Sequence, residues 1–306
     1  MSEVEQLLVV ARIPDDLRAA LSRRHALVEY GRDSSLSRIR VAVTTSVHGF
    51  TAELMRQLPS LGLIACNGVG LDRIDVEEAA RRGIRVCNTP GVLTEDVADL
   101  AVALMYAIAR RVVEADRFVR SGRWATERMV LSRRVNGRVA GIVGLGSIGS
   151  AVARRTQALG LRTIYTGPRR KPDVDLEYFP TVEALAAEAD FLILCASVGA
   201  TSRGMVDDKV LKALGPEGYL INIGRGELVD EQALLAALES QAIAGAALDV
   251  FVNEPAIDPR FLALSNVVLQ PHHAALTHET RAAMIGVIER GIAEFLAAAA
   301  PLPEVK

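Results

Sequence analysis

The sequence predicts an α/β protein built from two doubly wound parallel-sheet domains. Three observations lead there. Short apolar runs alternate with helical periodicity almost from end to end of the 306 residues, the rhythm of strand–helix–strand units whose sheets are covered on both faces. The alternation falls into two series separated by one long helical stretch. The second series opens on an apolar strand that runs straight into a glycine-rich turn and a helix.

The first series has candidate strands at Leu7–Val10, Val41–Thr45, Leu63–Cys66 and Ile84–Cys87, each a short run rich in Val, Ile, Leu or Ala. Between them lie helix-like stretches such as Pro14–Ser22, Thr51–Leu58 and Asp75–Arg82. The long helical pattern follows. Thr94 is placed to N-cap it, and Glu95 and Asp96 complement the positive end of its dipole. Its apolar residues are Val97, Leu100, Ala101, Leu104, Met105 and Ile108, and Arg110 and Arg111 come after. Periodicity fits a hinge, a dimer element or an ordinary buried core helix equally. The second series has strands at Val139–Val143, Thr163–Thr166, Phe191–Cys195, Tyr219–Ile223, Ala244–Leu248 and Val267–Leu269. A last helix follows Thr277 and runs to about Ala299, where Pro301 and Pro303 end it.

Composition narrows the function classes. With 50% hydrophobic and 24% charged residues the chain can bury an ordinary core, which excludes disorder as its main state. The 35 basic and 37 acidic residues leave a formal charge of −2, too neutral for nucleic-acid binding through bulk electrostatics. Cys66, Cys87 and Cys195 lie in apolar runs, as buried free thiols do, and their odd count and wide spacing fit neither a disulfide framework nor a zinc site. No apolar run approaches the roughly 18 residues that span a bilayer. The N-terminus carries Glu3 and Glu5 before a short apolar run, with no basic region, and reads as a first strand rather than a signal peptide. A cytoplasmic protein with no membrane or nucleic-acid partner and no metal is expected.

The sharpest local signal is Gly144-Leu-Gly-Ser-Ile-Gly149, with the strand Val139–Val143 before it and the helical Ser150–Leu159 after it. In that setting Gly144 allows a tight turn, Gly146 lets backbone approach a pyrophosphate, and Gly149 lets the helix pack on the strand. The first-turn amides of Ser147, Ile148 and Gly149 would then face the phosphates with the positive end of the dipole behind them. The bland alternative is a structural glycine turn. The next strand, Thr163–Thr166, should end near the adenosine ribose, where NAD sites place an Asp or Glu. Here the sequence is Gly167-Pro-Arg-Arg-Lys171, with no carboxylate and three cations. The guanidinium forks of Arg169 and Arg170 suit a 2′-phosphate. NADP(H) is therefore expected as the preferred cofactor, with NAD(H) also usable; a solvated basic turn is the competing reading.

Three polar residues stand near later strand ends. Arg225 lies in Asn222-Ile-Gly-Arg-Gly226, at the carboxyl edge where open α/β sheets bind ligands, and its fork can grip a carboxylate. Glu254 lies in Glu254-Pro255, and His272 in Pro271-His272. Histidine is the commonest acid or base near neutral pH, and a neighbouring carboxylate favours imidazolium. Singly, each has a dull reading: a surface charge, a helix cap, a core histidine.

Together with Asn67-Gly-Val-Gly-Leu-Asp72, Asn88-Thr-Pro-Gly-Val-Leu93, Val97-Ala-Asp99 and Leu248-Asp-Val-Phe251, these motifs run in order over nearly the whole chain. The chain thereby resembles the D-isomer-specific 2-hydroxyacid dehydrogenases, especially the glyoxylate/hydroxypyruvate and hydroxyphenylpyruvate reductases. The resemblance implies a flavodoxin-like substrate domain, residues 1–96 plus 277–306, and a Rossmann cofactor domain, residues 97–276, with a cleft between. It implies that Arg225 binds the substrate carboxylate and polarises the 2-oxo group, that Glu254 orients His272 and keeps it protonated, and that His272 donates a proton to the carbonyl oxygen as hydride arrives. It adds backbone N–H groups at Val69 and Gly70 as carboxylate donors, and Asp249 as the holder of the nicotinamide carboxamide. It implies a homodimer through the cofactor domain and its leading helix. Trp124, the one tryptophan, then reads as an interface anchor or as a plug of its own core.

Some positions depart from the family pattern. His273 stands where a small or apolar residue is common, and being adjacent to His272 it should point elsewhere. Ala275 replaces a frequent serine, and Cys195-Ala196 a frequent Cys-Pro pair at the adenine pocket. Thr44–Gly49 is expected to line the substrate pocket, with His48 a surface residue or a contact to a substrate hydroxyl. The expected reaction is reduction of small 2-oxo acids of the glyoxylate/hydroxypyruvate type. The alternatives are an aromatic, hydroxyphenylpyruvate-type substrate, or a nucleotide-sensing binding protein on the same scaffold. The absence of extra tails or domains after the last helix favours the small-acid reductase over the sensor and over phosphoglycerate dehydrogenase.

Overall fold

The computed structural model describes residues 4–31, 36–199 and 201–298. Glu3 and the helix stop at Ala299, Pro301 and Pro303 lie outside the described residues. The chain divides into two compact units, residues 1–93 with 277–306, and residues 94–276.

The first unit begins β1 (Gln6–Val9), α1 (Asp15–Ser22), β2 (Ala26–Glu29), β3 (Val41–Thr45), α2 (Ala52–Arg56), β4 (Leu63–Asn67), α3 (Val76–Arg81) and β5 (Arg85–Cys87). All strand pairings are parallel, in the order β2-β1-β3-β4-β5, the flavodoxin-like order. Successive strand residues alternate faces, and both faces here are apolar. Leu8, Ala42 and Ile64 pack with Met55 of α2 and Ala79 of α3 on one side. Leu7, Val9, Val41, Val43, Leu63 and Ala65 meet Leu17 and Leu21 of α1 on the other. Thr51 caps α2 and Asp75 caps α3 through side-chain oxygens that accept the N3 amides.

The second unit opens with the long helix, α4 (Thr94–Ala109), followed by α5 (Val112–Arg120), β6 (Val139–Val143), α6 (Ser147–Ala158), β7 (Arg162–Thr166) and β8 (Glu177–Phe179). It continues through α7 (Val182–Glu188), β9 (Phe191–Leu194), α8 (Asp208–Leu214), β10 (Tyr219–Asn222), α9 (Glu231–Glu239), β11 (Gly245–Leu248), α10 (Arg260–Ala263) and β12 (Val267–Leu269). The strand order is β12-β11-β10-β9-β6-β7-β8, all parallel. Counted from β6 this is the Rossmann order with one extra strand, and the order reverses between β6 and β9, where such sheets bind ligands. Thr94 is the first residue of α4 rather than a cap outside it. Val97, Ala98, Ala101, Leu104, Met105 and Ile108 of α4 are buried, and the helix packs on α6, β10 and β11. It is a core helix of this unit.

The chain then returns to the first unit as α11 (His278–Ala298). Ile288 and Ile292, both fully buried, join the face formed by β1, β3, β4 and α1. Among the described residues no helix is long and apolar enough to cross a membrane. No disulfide joins Cys66, Cys87 or Cys195; Cys66 is buried, and Cys87 and Cys195, at strand ends, are half-buried. Trp124 is 69% exposed, which removes the reading of it as a plug of its own core. His48 is exposed, and its backbone N–H donates to Thr45 Oγ1 at 3.2 Å.

Candidate active site

The glycine turn is built by three different constraints. Gly144 has φ +90°, and a Cβ there would lie 2.8 Å from the Ala196 backbone. A Cβ at Gly149 would overlap the carbonyl of Gly144. Gly146 meets nothing within 4 Å, so its surroundings are open where the others are crowded. It is also the N-cap of α6 and offers no side chain to the first-turn amides. The helix thus starts with Ser147 exposed, Ile148 half-buried and backbone donors that no helical carbonyl can reach. An open approach, bare amides and a helix dipole suit a pyrophosphate, so the residues present fit a dinucleotide. Arg169 and Arg170 are exposed in the turn after β7.

Arg225 follows β10 and is half-buried, not a plain surface charge. Asn222, 1% exposed, clamps its turn: Nδ2 donates to the Arg225 carbonyl at 2.9 Å and Oδ1 accepts from Gly224 N at 3.1 Å. The flanking glycines are required by close backbone approach. A Cβ at Gly224 would sit 2.8 Å from the Ala196 carbonyl oxygen, and one at Gly226 would overlap the backbone of Phe251 and Val252. The loop that carries Glu254 is therefore pressed against the loop that carries Arg225.

Glu254 is not a helix cap. Its Oε1 accepts from Phe251 N at 2.9 Å, and its Oε2 lies 2.7 Å from His272 Nδ1. His272 is half-buried, with 33% of its side chain exposed, and is no core histidine. Its backbone is in the left-handed region at φ +53°, unusual for a non-glycine residue. Asp249 holds it there. The Asp249 carbonyl accepts from His272 N at 2.8 Å. Its carboxylate accepts from His273 N at 2.6 Å and Ala274 N at 3.1 Å. Asp249 is 1% exposed; burial pushes its carboxyl up, and the two amide donors work against that rise. His273 is exposed.

The sequence signals give no hint that Asp249 braces the histidine loop, nor that Glu231 takes part. Glu231 Oε1 accepts from Val252 N at 2.7 Å, fixing the segment before Glu254. Burial pushes the Glu231 carboxyl up, and the nearby carboxylates of Asp258, Glu227 and Glu254 push the same way. Asn222 could have been found, because an Asn followed by Ile-Gly at a strand end is a turn-closing signal. Val69 and Gly70 belong to the first unit. The Val69 carbonyl accepts from Asn88 Nδ2 at 2.9 Å, and Cys66 Sγ lies 3.9 Å from the Gly70 carbonyl.

Asp249→Asn tests the brace. It places an NH2 against one of two buried amide donors, which costs about 1–3 kcal/mol for an unmet buried group. The melting temperature should fall and kcat should drop with it, read by thermal unfolding and steady-state kinetics. Unchanged values in both would show that the loop holds itself.

Residues 102–274 match the family model described as "D-isomer specific 2-hydroxyacid dehydrogenase, NAD binding domain". The chain is 43% identical over 292 residues to a 2-ketogluconate reductase of Gluconobacter oxydans, covering 94% of each. It is 44% identical to a glyoxylate/hydroxypyruvate reductase of Arabidopsis thaliana, covering 87% of this chain and 83% of the relative. Among solved structures, it superposes with a TM-score of 0.90 on an NADPH-dependent glyoxylate/hydroxypyruvate reductase from Sinorhizobium meliloti in complex with NADP and malonate. That match has 37% identity and covers 99% of this chain and 98% of the other. The family match spans more than half of the chain and these relatives are covered over four fifths or more of their length, so the chain belongs to the D-isomer specific 2-hydroxyacid dehydrogenases, oxidoreductases acting on CH–OH donors.

Proposed function

We propose that this dehydrogenase is an NADPH-preferring reductase of small 2-oxo acids, of the glyoxylate/hydroxypyruvate type, yielding D-2-hydroxy acids. The observation that carries the reading is the 2.7 Å contact between Glu254 Oε2 and His272 Nδ1. It uses one ring nitrogen to orient the imidazole and leaves Nε2 for a ligand. His272 is the acid in this scheme and gives its Nε2 proton to the carbonyl oxygen as charge develops there. Glu254 fixes the ring's direction. Arg225 takes the substrate carboxylate with its fork and draws electron density from the 2-oxo group. The amides of Val69 and Gly70 belong to the same proposal as carboxylate donors, and Asp249 as a contact to the nicotinamide carboxamide. A bound nicotinamide supplies the hydride. Gly144, Gly146, Ser147, Ile148 and Gly149 would hold its pyrophosphate, and Arg169 and Arg170 its 2′-phosphate.

The relatives support the substrate class: one is named for glyoxylate and hydroxypyruvate, another for 2-ketogluconate. Steady-state reduction of glyoxylate, hydroxypyruvate, hydroxyphenylpyruvate and 2-ketogluconate with each cofactor tests the reading. A kcat/KM that favours the aromatic or the sugar acid would move the substrate, and no turnover on any of them would favour a nucleotide sensor. We also propose a cytoplasmic homodimer. The support is that no disulfide joins Cys66, Cys87 or Cys195, and that Val112, Val119, Trp124, Val130 and Leu131 of the second unit are exposed.

NADPH should exceed NADH in kcat/KM by at least about tenfold, since a charge-assisted contact contributes about 1.5–3 kcal/mol and about 1.4 kcal/mol is a factor of ten. Replacing Arg169 and Arg170 together by alanine should remove most of that preference by raising KM for NADPH. The preference should also weaken with salt, because both side chains are exposed. Equal or better use of NADH by the unaltered protein would defeat the cofactor reading.

A further inference from the structure

The basic turn after β7 is held at both of its ends by tyrosine hydroxyls. Tyr165 on β7 and Tyr178 on β8 are register partners in the parallel sheet. Their ring centroids are 5.4 Å apart with planes inclined at 58°. The Tyr178 hydroxyl donates to the Gly167 carbonyl at 3.1 Å, where the turn begins. The Tyr165 hydroxyl accepts from Lys171 N at 2.8 Å, where the turn closes. Tyr165 is 1% exposed, so its hydroxyl has a fixed position from which to grip a turn that is itself exposed.

The same turn is tied to the glycine turn. Gly144 N donates to the Thr166 carbonyl at 3.0 Å, and the Lys171 ammonium donates to the carbonyl of Leu145, between the first two glycines. A buried tyrosine needs a partner for its hydroxyl wherever it sits. That need alone does not explain why two tyrosines on neighbouring strands take the two ends of one five-residue segment. Arginine side chains are costly to order, and a backbone already set lowers the cost that remains on binding. Arg169 and Arg170 thus stand on a segment anchored at each end and joined to the site of the pyrophosphate.

We propose that Tyr165 and Tyr178 are positioning residues for nucleotide selectivity: they hold the Gly167–Lys171 turn in the conformation in which Arg169 and Arg170 receive a 2′-phosphate. The proposal rests on the NADPH reading above and deepens it. It is tested by titrating the cofactor-free protein with adenosine 2′,5′-bisphosphate and with adenosine 5′-monophosphate by calorimetry, in the wild type and in the Tyr165→Phe/Tyr178→Phe double variant. Phenylalanine keeps the ring packing and removes the two hydrogen bonds, so the expected loss of bisphosphate affinity is about tenfold. Monophosphate affinity should stay within about twofold, and KM for NADPH should rise with kcat unchanged. If the double variant fails to fold, each single variant should show about a threefold loss in the bisphosphate arm alone. A double variant, or both single variants, with the wild-type ratio of the two affinities would overturn the role of the tyrosines and leave the NADPH reading standing. A wild-type protein that binds both nucleotides equally would overturn the 2′-phosphate reading, and this proposal with it.

Discussion

His272→Ala is expected to lower kcat by about two orders of magnitude or more, the usual contribution of the general-acid role proposed for it, with the affinity for NADPH expected to stay near that of the wild type. The imidazole is held through Nδ1 by Glu254 at 2.7 Å and through its backbone by the Asp249 carbonyl at 2.8 Å. Alanine keeps the backbone bond and loses the imidazole, the proposed proton donor, with its link to Glu254. The same exchange at His273 is the control. The His273 side chain is exposed, and its bond to Asp249 is made by its backbone N–H, which alanine retains. A mild effect is therefore expected there. Should His273→Ala prove crippled while His272→Ala keeps turning over, the proton donor has been assigned to the wrong residue.

Arg225→Lys carries the second large effect, a fall in kcat/KM on the order of a hundredfold or more. Lysine keeps the charge and loses the planar fork. Two charge-assisted contacts at about 1.5–3 kcal/mol each cannot both be replaced by one ammonium. Most of the turn would survive, because Asn222 holds it through the Arg225 carbonyl and the Gly224 amide, both backbone groups. The loss should appear in both KM for the 2-oxo acid and kcat, since the same fork is proposed to hold the carboxylate and to polarise the carbonyl. Near-normal kinetics would mean that other groups bind the carboxylate.

The elements that were legible in the sequence are those buried on both faces. β3, β4, β6 and β9 carry four or five consecutive apolar or small residues, and β10 three, because helices cover them on each side. β2 and β8 were not legible. Both are sheet edges, three or four residues long and ending or starting at an exposed or half-buried glutamate, so no apolar run marks them. The site divides in the same way. Residue types at strand ends can be read directly, which is how Arg225, Glu254 and His272 stand out. Contacts made by the backbone cannot: that Asp249 receives two amides and that Gly226 abuts Phe251 follow from how loops stack, and neither spacing nor periodicity encodes it. The basic turn was visible as Arg169-Arg-Lys171, but its tyrosine supports come from two strands, and one of those was the unread β8.

The route of the chain through its two units has a consequence for synthesis on the ribosome. The sheet of the first unit is finished by Cys87, yet one of its faces lacks α11 until residues 278–298 have been made. Ile288 and Ile292 are absent throughout the translation of the whole second unit, and Leu63, Ala65 and Val43 have only part of their cover in that interval. The N-terminal part, which usually folds first, therefore cannot complete this face until the end of the chain has been made. The unit from 94 to 276 is contiguous and can close while the earlier strands wait. The apolar face that stays open in that interval is the one that α11 later seals.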